Sequence, residues 1–264
     1  IPATELFSAR LLMSVITLWP IIIFQKKIFL LKDIFKNKKK FWALVLSSIL
    51  ITGNWLLYIY AVMTNQVLEA SMGYFLNPLI NAAIGWTVLK EPFRKTQLPA
   101  VILGLIAVII LFLDAQISHF PWIALTLSLS FALYGVLRKF IEIGSVEGLS
   151  FETTIMVPVV LTWLYFHPPV ATMNLPTAEL ILLSLSGIVT SIPLILFAYS
   201  AKRLPLTALG FCQYLSPLFK FVCGYFILHE PLSNMRLVAF LIIWFALFCY
   251  SFESVYFLKK KRSN

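Results

Sequence analysis

The sequence predicts an all-α membrane protein, a polytopic helix bundle made of two repeats with opposite topology. Three observations lead there: an apolar, charge-poor composition, nine apolar runs of membrane-spanning length, and a segment that recurs at a constant offset of 139 residues. Hydrophobic residues make up 60% and charged residues 12% of the 264, and mean hydropathy is +0.91. A soluble domain is about half apolar and about a quarter charged. This balance excludes a disordered chain, a secreted disulfide scaffold and an ordinary soluble enzyme.

A hydrocarbon core about 30 Å thick requires about 20 helical residues. Runs of this kind occupy residues 4–24, 41–63, 68–89, 98–113, 121–141, 151–166, 178–200, 206–228 and 235–257. Barrel strands need only about 10 residues each, so the runs are helices. The first run opens with Glu5, holds Arg10 and lacks the basic start and small-residue cleavage site of a signal peptide. The fourth and sixth runs are short, and the sixth contains Pro158 and stops at His167-Pro168-Pro169.

Of the 21 Lys and Arg, eighteen fall in alternate connections and the C-terminal tail, seven of them between the first two spans. The intervening connections hold only Arg236. The positive-inside rule places the eighteen, and the C-terminus, in the cytoplasm. Contact with lipid headgroups is their second use.

Residues 70–92 and 209–231 superpose Pro78 on Pro217, Gly85 on Gly224, Glu91 on Glu230 and Pro92 on Pro231, and the same offset sets Tyr60 on Tyr199. The copies lie five spans apart, an odd number, so they cross the membrane in opposite directions, as in secondary transporters. The first repeat covers 1–113, the second 121–257, and 258–264 is a basic cytoplasmic tail. The fifth span has no partner in the first repeat, and the chain starts at Ile1; a further helix is therefore expected upstream, missing from the first repeat.

Lipid offers no hydrogen bonds, so polar groups within spans face one another or a cavity. Tyr74, Asn77, Asn81 and Gly85 share one helical face of the third span, and Gln213, Ser216, Lys220 and Gly224 repeat it on the eighth, with Tyr214 beside them. These are candidate walls of a solute cavity, or polar glue between helices, with Gly85 and Gly224 read as packing positions. Lys220 lies mid-span, where a lysine costs about 2.5–3.5 kcal/mol. It faces a cavity or an anionic ligand, or snorkels to the rim. Arg10 either pairs with Glu5 or Glu69 or captures an anion. Asn54 and Trp55 sit near the midplane of the second span. Glu5, Glu69 and Glu152 are the carboxylates available for proton coupling, Glu69 also suiting a helix N-terminus.

Cys212, Cys223 and Cys249 lie within spans and read as packing residues. His119, His167 and His229 lack metal-ligand spacing. Neither a phosphate-binding G-x-x-x-x-G-K-[ST] loop nor a G-x-S-x-G elbow occurs. No enzyme activity, cofactor, metal, nucleotide or nucleic acid is therefore expected.

The strings GNWLLYIYAV (53–62), LEASMGYFLNPLIN (68–81), AKRLPLTALGFCQYLSP (201–217) and HEPLS (229–233) resemble the RarD group, within the EamA-type branch of the drug/metabolite transporter superfamily. The likeness runs over nearly the whole chain. It implies a ten-helix fold of two inverted five-helix repeats, nine helices being present here, with both termini cytoplasmic. It also implies a bacterial inner-membrane permease; the group is named for an association with chloramphenicol sensitivity. Lys220 departs from the neutral residue that the resemblance leads one to expect.

The function expected is secondary transport of small organic solutes or drugs by alternating access, with the solute and the bilayer as partners and a homodimer left open. The reading from another class is a non-transporting membrane scaffold or accessory subunit.

Overall fold

Backbone groups in hydrocarbon must bond within their own segment, and the apolar runs accordingly form helices. The computed structural model describes residues 1–92, 94–115, 120–217, 219 and 233–263, with side chains for all of these except Leu30, Lys32, Lys95 and 254–263. Among the described residues the helices are α1 (Ala3–Phe24), α2 (Ile28–Lys36), α3 (Lys38–Met63), α4 (Val67–Thr87), α5 (Leu98–Asp114), α6 (Trp122–Phe140), α7 (Ser145–Phe166), α8 (Val170–Met173), α9 (Thr177–Ala201), α10 (Leu206–Gln213) and α11 (Asn234–Ser263). No strand occurs among them. Among the described residues six helices are long and apolar enough to cross a membrane: α1, α3, α6, α7, α9 and the Asn234–Glu253 part of α11. α4 has 21 residues, but its polar stripe lowers its hydropathy, and α5 is short at 17.

Three departures from the sequence expectation have physical causes. α2 lies inside the first basic connection; its Ile34 is buried with Leu44, Ile141 and Phe151, and the Phe35 ring is 5.6 Å from that of Phe41. α7 starts at Ser145, six residues ahead of the expected 151, because its first-turn Glu147 is paired with Lys27 at 2.8 Å. α10 stops at Gln213 with a turn at Tyr214. Pro217 has no N–H to give the Gln213 carbonyl, which favours a break there. Residues 215–217 are helical again, and of the rest of the eighth span only Phe219 is described, so that Lys220 and Gly224 lie outside the described residues.

The chain forms two compact units, Ile1–Asn65 with Leu133–Arg203, and Gln66–Ala132 with Leu204–Asn264. In the first, α1 packs on α9 and α7 packs on α3, two pairings that exchange under the repeat. Lys27, just past α1, meets Glu147 at the start of α7, while Glu5 at the start of α1 accepts from Thr172, just past α7. Repeat counterparts α1 and α7 therefore run antiparallel. In the second unit, Glu91, just past α4, accepts from Leu206 at the start of α10. Asp114 at the end of α5 accepts from Arg236 at the start of α11, and Arg94, just before α5, pairs with Glu253 late in α11. Within each unit the repeat copies are thus inverted.

Small residues let these helices approach closely. A methyl group at Gly187 on α9 would overlap the Met13 carbonyl oxygen of α1. At Gly210 it would lie 3.0 Å from the Pro78 carbonyl oxygen of α4. Gly53 on α3 has open space instead. Gly187→Ala should destabilise the purified protein by about 1–3 kcal/mol through overpacking, whereas Gly53→Ala should leave the unfolding midpoint in detergent unchanged.

Candidate functional site

Helical spacing brings α1, α3 and α9 together around a cavity of 340 Å³ in the first unit, lined by Leu6, Arg10, Tyr58, Ile59, Val62, Met63, Ser186, Val189 and Thr190. Among the described residues Arg10 is the only charged one that lines it. The Arg10 Nε donates to Thr190 Oγ1 at 2.7 Å, and the guanidinium carbon lies 5.4 Å from the centroid of the Trp55 ring. Trp55 is buried, and cation–π attraction across that distance helps to fix the guanidinium. The Ser186 hydroxyl, on the cavity wall, is buried and has no hydrogen-bond partner among the described residues. Asn54, one residue before Trp55, is half-buried on α3.

The second polar centre of this unit is organised by Glu152, which is wholly buried in the third turn of α7. Its Oε1 accepts from Ser47 Oγ at 2.6 Å and from Arg138 Nη1 at 3.3 Å, and its Oε2 accepts from Tyr134 at 3.2 Å. Ser48 donates to its backbone carbonyl. Arg138 is itself 0% exposed and also donates to the carbonyls of Gly144 and Ser145. A side chain at Gly148 would collide with the guanidinium, so the glycine makes room for the ion pair. Nearby, Lys202 donates to the Ile143 carbonyl. Burial, followed by the repulsion of Arg138, brings the Lys202 ammonium down to about 8. Arg138 had counted only as a cation of a cytoplasmic connection. Its signals in the sequence are Tyr134 one turn earlier and the Gly144–Gly148 pair.

In the second unit, the matching stripes of α4 and α10 touch directly. Asn77 Nδ2 donates to Gln213 Oε1, and Asn81 Nδ2 approaches the same oxygen at 3.4 Å. The Oδ1 atoms of both asparagines and the Gln213 Nε2 are buried without partners among the described residues. The three amides therefore join the helices and keep unused hydrogen-bonding capacity. Tyr74 is half-buried and Ser216 exposed, while Tyr214 is fully buried in the apolar core, where its hydroxyl faces Gly104. Glu69 accepts from the Ile123 backbone N–H of α6 at 2.8 Å, so it satisfies a neighbouring helix N-terminus. Glu5 does the same for Ala171 and Thr172 at α8.

Removing one partner of a buried ion pair strands the other. Arg138→Met should cost about 3–5 kcal/mol of unfolding free energy. The double variant Arg138→Met/Glu152→Leu should recover much of that loss. Denaturant unfolding of the purified protein in micelles compares the two.

The sequence profile of the EamA-like transporter family matches the chain twice, over residues 1–113 and 121–252. An uncharacterised transporter of Pseudomonas aeruginosa is 36% identical over 257 residues, covering 96% of this chain and 86% of that protein. The uncharacterised transporter YojE of Bacillus subtilis is 35% identical over 268 residues, covering 100% and 89%. Protein RarD of Escherichia coli is 36% identical over 262 residues, covering 97% and 87%. A solved crystal structure shares the fold with a TM-score of 0.71 at 14% identity, covering 94% of this chain and 88% of that one. With two matched copies of the family profile in one helical chain, and relatives alike over nearly its full length, this protein belongs to the EamA-like transporter family.

Proposed function

We propose that the protein is a secondary carrier that moves small organic solutes across a bacterial inner membrane by alternating access, with its C-terminus in the cytoplasm. The observation carrying this reading is the inversion of repeat counterparts: α1 against α7, and α4 against α10. Two inverted copies, 1–113 and 121–257, can exchange roles, which is the geometric requirement for exposing one site to either side in turn. The Arg10 cavity supplies a solute site, with Trp55 behind the guanidinium and Asn54 next to Trp55 in sequence. The Asn77–Asn81–Gln213 cluster supplies polar groups whose capacity is unused in this state. Lys220 belongs to the same repeat stripe.

The three carboxylates suit coupling unequally. Glu5 and Glu69 are each held by backbone N–H groups, whereas Glu152 has an ionic partner that a conformational change can remove. Glu152 is therefore the proton-coupling residue in this reading.

Thermal-shift screening of the purified protein against amino acids, nucleosides, sugars and amphenicols should find a stabilising solute, and proteoliposomes should take it up. Asn77→Leu should cut that uptake by about tenfold, the loss of one or two polar contacts of about 0.5–1.5 kcal/mol each, while the purified variant stays folded in micelles. A scaffold tolerates that substitution, so an absence of any binding solute and any transport defect would sink the carrier reading. Single cysteines tested in a background lacking Cys212, Cys223 and Cys249 report sidedness. An impermeant maleimide should label position 174 from the outside and position 39 only in inverted vesicles; the reverse pattern refutes the orientation.

A further inference from the structure

The 340 Å³ cavity of the first unit combines one cation with walls that are otherwise mostly apolar. We infer that it selects monocarboxylates with an apolar body, the carboxylate on Arg10 and the body against Leu6, Ile59, Val62 and Val189. This inference rests on the carrier reading and specifies its substrate class.

Four observations carry it. First, Arg10 is held in a defined orientation, by the 2.7 Å bond from its Nε to Thr190 and by the Trp55 ring. An oriented guanidinium presents a planar fork that matches a carboxylate with two parallel hydrogen bonds. Second, the Ser186 hydroxyl on the same wall is buried without a partner among the described residues and can donate to an anion. Third, among the described residues no lining residue is acidic. A ligand ammonium therefore finds no counter-charge in the cavity, which disfavours amines and gives a zwitterion no advantage over a simple acid. Fourth, five of the nine lining residues are Leu, Ile, Val or Met, which reward burial of a hydrocarbon or aromatic body.

Size narrows the class further. At about 30 Å³ per water in the liquid, the cavity corresponds to on the order of ten non-hydrogen atoms. Phenylacetate has that size and chemistry. Phenylacetamide keeps the shape without the charge, and phenethylamine reverses the charge.

The test is binding of these three probes to the purified full chain by calorimetry, followed by counterflow in proteoliposomes. Phenylacetate should bind about tenfold to a hundredfold tighter than phenylacetamide, the range expected for a charge-assisted pair, and phenethylamine should not bind. Arg10→Gln should erase the preference for the acid. Arg10→Lys should keep the preference at lower affinity, because it retains the charge and loses the fork. Equal binding of acid and amide by the wild-type protein, or a preference for the acid that survives Arg10→Gln, overturns the inference. If a neutral solute is transported and carboxylates are ignored, the carrier reading stands and the substrate class fails. If nothing binds and nothing is transported, both fail.

Discussion

A helix leaves its first four backbone N–H groups without intrahelical partners, and hydrocarbon cannot supply them. This constraint explains where the acidic side chains of the protein have gone. Glu5 accepts from the backbone of Ala171 and Thr172 at α8, Glu69 from Ile123 at α6, and Glu91 from Leu206 and Thr207 at α10. In each case a carboxylate at one end of a helix closes the N-terminus of a different helix. The helix dipole favours negative charge at that place, so one side chain satisfies donors and electrostatics together. With only eleven Asp and Glu in the chain, three serving this purpose is a large commitment. These bonds also define the ends of each unit and, with the flanking ion pairs, fix the antiparallel sense of the repeat copies.

Much of the architecture was legible in the sequence because its signals are long. Runs of about 20 residues, charges in alternate connections and a repeat at a fixed offset need no knowledge of contacts. Short or paired signals were harder to read. α2, nine residues long, was hidden among lysines, since what makes it fold back is Ile34 inserting between residues more than a hundred positions apart in sequence, Leu44 and Phe151. The first turn of α7 looked like a loop because Gly144, Glu147 and Gly148 are poor span residues until Lys27 and Arg138 are placed beside them.

The site residues divide in the same way. Periodicity put Asn77 and Asn81 on one face, and the repeat put Gln213 opposite, which is how the structure arranges them. Periodicity could not tell that Tyr214, adjacent to Gln213, turns into the apolar core against Gly104. Arg10 was singled out by its position within a span, but the identity of its partner, Thr190, depends on the crossing of α1 and α9 that Gly187 permits. In the sequence Arg138 is one of eighteen cations in the alternate connections and the tail, and a cation near a helix end ordinarily reaches water. It stays inside because Glu152, Gly144 and Ser145 surround it with acceptors.

The carboxylate of Glu91 has a consequence for how the protein is made. Its partners Leu206 and Thr207 are 115 and 116 residues further along, and Thr172 follows Glu5 by 167. As the chain leaves the ribosome, each acid is inserted long before the backbone that it will hold exists. The first half must therefore wait in the membrane with its anions unsatisfied or hydrated. Its architecture is completed only when the second half threads in with the opposite sense, so the two copies mature as one folding event and not as two successive domains.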